Sequence, residues 1–279
     1  MVNSFNFPPM GFGPGSQPPE GDGQELEYMP MPQGMRAYSA HVPDVEADDA
    51  LMPAMSLMKE IAAAADRVAR GGENEVFDLA GLDAANRALV AETMGEGEVA
   101  IKVHDIPAVA VQESVFAGVW GLKAAGMDAI EVGSAPRRAF TRAFAPCKPA
   151  TLTATAAIPG VVNALPILTE LVDKSVARAG DDLPHVVNLT LLPHTEQDLA
   201  WLDLALGKGS VDILSRGYGN CRITATALDR VWRVQFFNSM DTLILDTFEV
   251  TDMPEVALAA SEDLAESSAR ILEVLEAIR

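Results

Sequence analysis

Cysteine is nearly absent from this chain: its 279 residues include only Cys147 and Cys221. Two such residues build no disulfide framework, so a reducing, cytoplasmic setting is the expectation. Histidine is scarce as well, and none of His41, His104, His185 and His194 stands four residues from another. No zinc or iron–sulfur spacing results, and no metal or other cofactor is expected on the single chain. A bridging site shared between chains stays open. No apolar run reaches roughly eighteen residues, which leaves nothing to insert into a membrane. The start, MVNSFNFPPMGF, lacks a basic segment and a continuous apolar stretch, so it does not read as a secretory signal. Basic residues are also few: 20 Lys and Arg stand against 40 Asp and Glu, a net charge of −20. That balance repels nucleic acid, whose binding requires a basic footprint. It serves either solubility or attraction to a basic partner.

What is present begins with proline and glycine. Residues 1–45 are rich in Pro, Gly and Met, as in GFGPGSQPPEGDG and YMPMPQGM, and are expected to be a disordered tail. Phe5, Phe7 and Phe12 within it are either chance apolar residues or a short docking segment. Folded structure is expected from about Asp49. Met55, Met58, Ile61, Ala65 and Val68 recur at helical spacing up to Gly71-Gly72. EVFDL then reads as a buried strand, Asp83 as the N-cap of a short helix, and GEGEVAIKV as a turn feeding a strand. At the far end Leu264, Ser268, Ile271, Leu275 and Ile278 lie along one face of a closing helix.

A second glycine turn, GKGSVDILS, repeats the first. Gly95, Gly97, Val99 and Ile101 coincide with Gly207, Gly209, Val211 and Ile213, and VWGL around Trp120 meets VWRV around Trp232. Glu131 and Pro136 have the spacing of Glu249 and Pro254. The pattern predicts an internal duplication, with residues 46–150 as first repeat and 151–279 as second. Lys208 then sits where the first copy has Glu96, and no phosphate loop tolerates that exchange. The glycines instead read as positive-φ links between helix and strand. The short connections among VDILSR, CRITATA, RVWRVQFF and TLILDTFEV favour antiparallel neighbours. The predicted fold class is α+β: two duplicated halves, each a mainly antiparallel sheet covered by helices, behind the disordered tail.

Few residues suggest chemistry. No catalytic constellation emerges, and Trp120 and Trp232 read as core. Cys221 starts an alternating strand, where it is either a small half-buried side chain or a thiol activated by His185 or His194. The interval RGYGN differs from its first-copy counterpart HDIPA, so it is either a plain hairpin turn or the place where the second copy does its specific work.

The stretches GFGPGSQP, LPHTEQDLAWL, RGYGNCRITATALDRVWRVQFFNSMDTLILDTFEV and MPEVALAASEDL resemble the HupH/HyaF/HoxQ family of hydrogenase expression proteins. The likeness covers nearly the whole chain and is most specific from His185 to Leu264; LVAETMGEGEVAI and VQESVFAGVWGL match less closely. The resemblance implies a cytoplasmic, non-enzymatic chaperone in maturation of an uptake nickel–iron hydrogenase. Its client would be the precursor of the iron–sulfur small subunit, which carries a twin-arginine export signal, and a thioredoxin-like accessory protein would work beside it. The alternatives are a thiol-dependent maturation factor acting through Cys221 and a scaffold bridging other accessory proteins. The partner-binding candidates are Arg216, Gly217, Tyr218, Gly219, Asn220 and Cys221. Glu249, Asp252 and Glu255, with Asp246 nearby, form a candidate acidic surface for the basic signal.

Overall fold

The structure, a computed structural model, describes residues 49–150, 159–177, 183–216 and 220–278. The expected tail of residues 1–45 and the loop residues Gly217, Tyr218 and Gly219 lie outside the described residues.

The first element is α1 (Met52–Ala69), which follows a 3-10 turn at Asp49–Leu51. It buries Met55, Met58, Ile61 and Ala65, the stripe expected from helical spacing, with Ala54, Ala62 and Ala64 flanking it. Next come β1 (Glu75–Asp78), α2 (Ala84–Met94), β2 (Val99–Val103), β3 (Val109–Glu113), β4 (Val119–Ala124), β5 (Met127–Val132) and α3 (Arg137–Arg142). The second half runs α4 (Ala164–Val176), β6 (His185–Asn188), α5 (Glu196–Leu206), β7 (Lys208–Ser215), β8 (Asn220–Thr226), β9 (Val231–Phe237), β10 (Leu243–Val250) and α6 (Ser261–Ala277). A 3-10 turn at Glu255–Ala257 precedes α6.

The α+β class holds, but the strands form one sheet rather than the two expected. Its order is β1-β5-β4-β3-β2-β7-β8-β9-β10-β6, with every neighbour antiparallel. The two halves join where β2 pairs with β7, setting Ile101 opposite Ile213 and Val103 opposite Val211. Pairing satisfies two rows of backbone N–H and C=O groups that separate sheets would leave unpaired at their edges. The free edges are β1 and β6 instead, each four residues long. EVFDL is therefore an edge strand and not a buried one: Val76 is 61% exposed.

Strand alternation and register divide the side chains between two faces. On one face, α1, α2 and α6 cover Val119, Ile130 and Val132, while α4 and α5 cover Val187, Val231, Phe248 and Val250. The opposite face carries α3, whose Ala139 belongs to one buried cluster with Val111, Ile213, Ile223, Trp120 and Trp232. Both tryptophans are fully buried, and each indole N–H donates to a carbonyl, that of Gly133 at 2.8 Å and that of Thr251 at 3.2 Å. Phe144 meets the Trp232 ring edge-on at 5.2 Å. The closing helix α6 returns to the first half and packs along α1 through Leu264, Ile271 and Leu275.

Helix starts are tied down by neighbouring elements. Asp83 caps α2 through Asn86 N–H, as its position in the sequence suggests, and Asn86 Oδ1 accepts from Ala54 N–H of α1. In the second half Thr195 and Asp198 form a capping box on α5. Asp198 Oδ1 also accepts from the N–H groups of Val162, Asn163 and Ala164 at the start of α4. Burial raises the Asp198 carboxyl, but these backbone donors prevail and hold it at about 2.

The glycine pairs divide into two kinds. Gly95 and Gly207 end α2 and α5 with φ of 56° and 68°, as expected. Gly97 and Gly209 are not at positive φ: a Cβ on Gly97 would overlap the Ser114 carbonyl, and one on Gly209 those of Ala143 and Thr226. These two are glycines because other backbone passes against them. Lys208 already belongs to β7, so the turn proper is Gly207.

Candidate functional site

The last residue of β7 and the first of β8 lie beside the β9–β10 connection at one end of the second half. Arg216 is exposed, and its N–H donates to Glu98 O at 3.1 Å, which ties the loop's first residue to the strand β2 approach. Asn220 opens β8, and its Nδ2 donates to Asp241 Oδ1 of the neighbouring hairpin at 3.0 Å. That hairpin is tightened by Asn238 Oδ1, which accepts from Met240 N–H and Thr242 N–H. Its apolar side chains point outward: Met240 is 83% exposed, Ile244 56% and Leu243 44%. A row of exposed large apolar groups on a hairpin tip is the kind of surface a protein partner covers. The sequence missed it, because Met240, Leu243 and Ile244 read there as ordinary strand and turn residues.

Cys221 does not face a partner. It pairs in register with Ser215 and Phe236, is 4% exposed, and joins the core with Ile223 and Trp232. The half-buried position expected of it is a fully buried one. Burial, with a smaller contribution from the Glu249 carboxylate, pushes its thiol up to about 12. A thiol so placed stays protonated and is a poor nucleophile.

The acidic candidates sit at the other end of the second half, and they are not equivalent. Glu249 is half-buried beside Trp232, and burial raises its carboxyl above the usual range despite a bond from Thr247 Oγ1. Asp252 is exposed but engaged by Arg230 Nε at 2.9 Å, and Glu255 is exposed at the start of its 3-10 turn. Asp246 is removed from any surface. It is 5% exposed and held by Arg233 through Nε at 3.1 Å and Nη2 at 2.8 Å, while Arg233 Nη1 reaches Asp203 at 2.9 Å.

A second feature occupies the face that carries α2. Between α2 and the central strands lies a groove of about 1140 Å³. Its floor includes Ala110, Gly121, Lys102, Lys123 and Arg222, and α2 contributes Ala88 and Ala91 to its wall. Lys102, Ala110, Lys123 and Arg222 are exposed. The register places Lys123, Ala110 and Lys102 in one row across β4, β3 and β2. Lys102 and Lys123 form no ion pair among the described residues, although Asp212 stands opposite Lys102 and Asp128 opposite Lys123, and both carboxylates line the groove with Glu96; Arg222 stacks over the Phe237 ring at 4.7 Å. Asp212, next in the row, is engaged by Lys208 and His104. Cations at alternate strand positions were visible in the sequence, but only the sheet order shows that they share one floor.

The described residues contain no group of three His, Cys, Asp or Glu placed to hold a metal ion, and no described helix is long and apolar enough to cross a membrane.

With this geometry in place, comparison with known proteins identifies the class. Residues 51–141 and 161–278 match the family model described as HupH hydrogenase expression protein, C-terminal conserved region. The chain belongs to this family. It is 63% identical to the hydrogenase expression/formation protein HupH of Rhodobacter capsulatus over 100% of both chains. It is 44% identical to HoxQ of Cupriavidus necator, covering 99% of this chain and 98% of that one. The hydrogenase-1 operon protein HyaF of Escherichia coli is 34% identical over 74% of each.

Proposed function

We propose that this protein acts in hydrogenase maturation as a non-enzymatic chaperone in the cytoplasm, holding the iron–sulfur small-subunit precursor before export. Relatives named as hydrogenase expression/formation proteins support the setting. The observation that carries the chaperone reading is the hairpin end of the second half, where Met240, Leu243 and Ile244 are exposed beside Arg216 and Asn220. Tyr218, between Gly217 and Gly219 in the sequence, lies outside the described residues and stays the candidate aromatic anchor. Glu249, Asp252 and Glu255 are the acidic groups offered to the basic twin-arginine signal, with a thioredoxin-like accessory protein as a further partner. Thiol chemistry at Cys221 is disfavoured, since a buried thiol raised to about 12 lacks the thiolate such a step needs.

We read the two halves as copies of one unit. Support comes from the strand order, which is the same counted inward from either edge, and from the matched tryptophans and their carbonyl partners.

The test is purification of the tagged chain from cells expressing the hydrogenase genes, with co-purifying chains identified. Recovery of the small-subunit precursor, retained by Cys221→Ser, is the expected result. Recovery of other accessory proteins without the small subunit would support a scaffold instead, and loss of hydrogenase activity in Cys221→Ser would revive the thiol reading.

A further inference from the structure

We propose that the free edge of β6 takes up a basic, extended segment of a partner protein as an added β-strand. The proposal deepens the chaperone reading, on which it rests for Glu249 as a group that meets the client, by naming how such a segment is held.

The backbone is the first argument. β6 ends the sheet, so one side of the strand has no neighbour. Leu189 N–H donates to Asp246 O of β10 at 2.9 Å. Strand alternation then turns the N–H groups of His185 and Val187 toward β10, and those of Val186 and Asn188 outward. Neither outward N–H has a partner among the described residues. Such a row is completed by another extended backbone.

The contrast with β1 is the second argument. That edge has the same parity: Leu79 N–H donates to Asp128 O, so Val76 N–H faces outward. Yet β1 carries Glu75 and Asp78, and Glu75 is forked onto Arg67 with both bonds at 2.7 Å. Charges on an edge strand discourage pairing. β6 reads His-Val-Val-Asn, holds no Asp, Glu, Lys or Arg, and leaves Val186 49% exposed.

The third argument is charge. On the face of Val186, Glu249 stands opposite it on β10, with Glu255 close by. On the other face Glu170 of α4 lies 2.8 Å from His185 Nε2, and Asp173 is one turn further along. The basic groups nearby are Lys174 on α4 and Arg230, and Arg230 is engaged by Asp252. Asp246 of β10 is answered by Arg233. Asp173, Glu249 and Glu255 have no ion pair among the described residues. The surplus beside the edge is negative. It repels a second copy of this chain, with its net charge of −20, and attracts a basic segment.

Register sharpens the chemistry. A residue added opposite Val186 lies two strands from Glu249, about 10 Å. An arginine there lays its stem over Val186 and carries its charge toward Glu249. The adjacent residue, opposite His185, points to the other face and toward Glu170. The segment that fits therefore has two consecutive basic residues in extended conformation.

The test uses the full chain and the fluorescent peptide Thr-Thr-Arg-Arg-Thr-Thr, read by anisotropy at low salt. Its fully N-methylated counterpart keeps the charge and removes the backbone donors. The first peptide is expected to bind, and the second about tenfold or more weaker, the scale of losing a few backbone hydrogen bonds. Binding should slow amide exchange at Val186 and Asn188 about tenfold or more. Val186→Pro removes an outward donor and no ladder bond, and should weaken binding as N-methylation does. Val76→Pro, its match on β1, should stay within about twofold. Where Val186→Pro lowers the melting temperature, amide exchange in the unaltered chain decides. Equal binding of both peptides, or unchanged exchange at Val186 and Asn188, overturns the proposal. So does protection of these amides that grows with protein concentration before peptide is added, which would put a second copy on the edge. Capture of the small-subunit precursor without peptide binding counts against this proposal alone, and peptide binding without capture counts against the chaperone reading alone.

Discussion

Glu113 ends β3 with its carboxylate facing the interior at 8% exposure, accepting from Gly118 N–H. Burial raises it to about 7, with Glu98 and Asp263 adding repulsion against the backbone bonds that favour the ion. Because the folded value lies above the unfolded one, protonation favours the native state. The contribution is fully present below about pH 4.5 and lost as pH rises through about 7. Glu113→Gln keeps the shape and removes the titration. The variant is expected to gain stability over the parent as pH goes from 5 to 8, by up to about 3 kcal/mol. Melting curves across that range check it, and a difference independent of pH would place the cost elsewhere. Nothing in the sequence marked this residue, since a Glu at the end of an alternating strand reads as solvent-facing. Asp83, by contrast, was legible as a cap because its partner lies three residues away.

Elements were legible where the chain alone determines them. The α1 stripe, the alternation in β2 and the face of α6 follow from periodicity, and the structure contains all three. What the sequence could not supply was which strand neighbours which. β1 reads as buried by composition but lies at an edge, and β2 and β7 read as strands of separate sheets but pair with each other. The glycine turns were legible as a repeated pattern, though not for their full reason. Gly209 is not at positive φ, yet the Ala143 and Thr226 carbonyls and the Ala225 side chain crowd it, so Gly209→Ala forces β7 away from its neighbours. A loss of about 1–3 kcal/mol is expected, the usual cost of overpacking. Gly81→Ala, where a Cβ meets nothing within 4 Å, should be near neutral. Denaturant unfolding of the two variants distinguishes them, and equal losses would mean that backbone approach is not the reason for Gly209.

At the scale of the whole molecule, one ten-stranded sheet carries helices on both faces and presents two unlike surfaces. The hairpin end of the second half is apolar at its tip, and the groove beside α2 is lined by side chains of both charges. Net charge of −20 was legible from composition, but the row that sets Asp128, Lys123, Lys102 and Asp212 across neighbouring strands was not. The central claim is that the hairpin end holds the client. Its most direct measurement is the amount of small-subunit precursor recovered per tagged chain for Met240→Asp with Ile244→Asp, against Val76→Asp with Ile106→Asp. Both pairs change exposed apolar residues, and only the first lies at the proposed surface. The hairpin pair is expected to reduce recovery about tenfold or more, as loss of an interface anchor does, with folding intact. The control pair should leave recovery within about twofold of the parent. Equal recovery from both pairs, or a greater loss from the control, would contradict the claim.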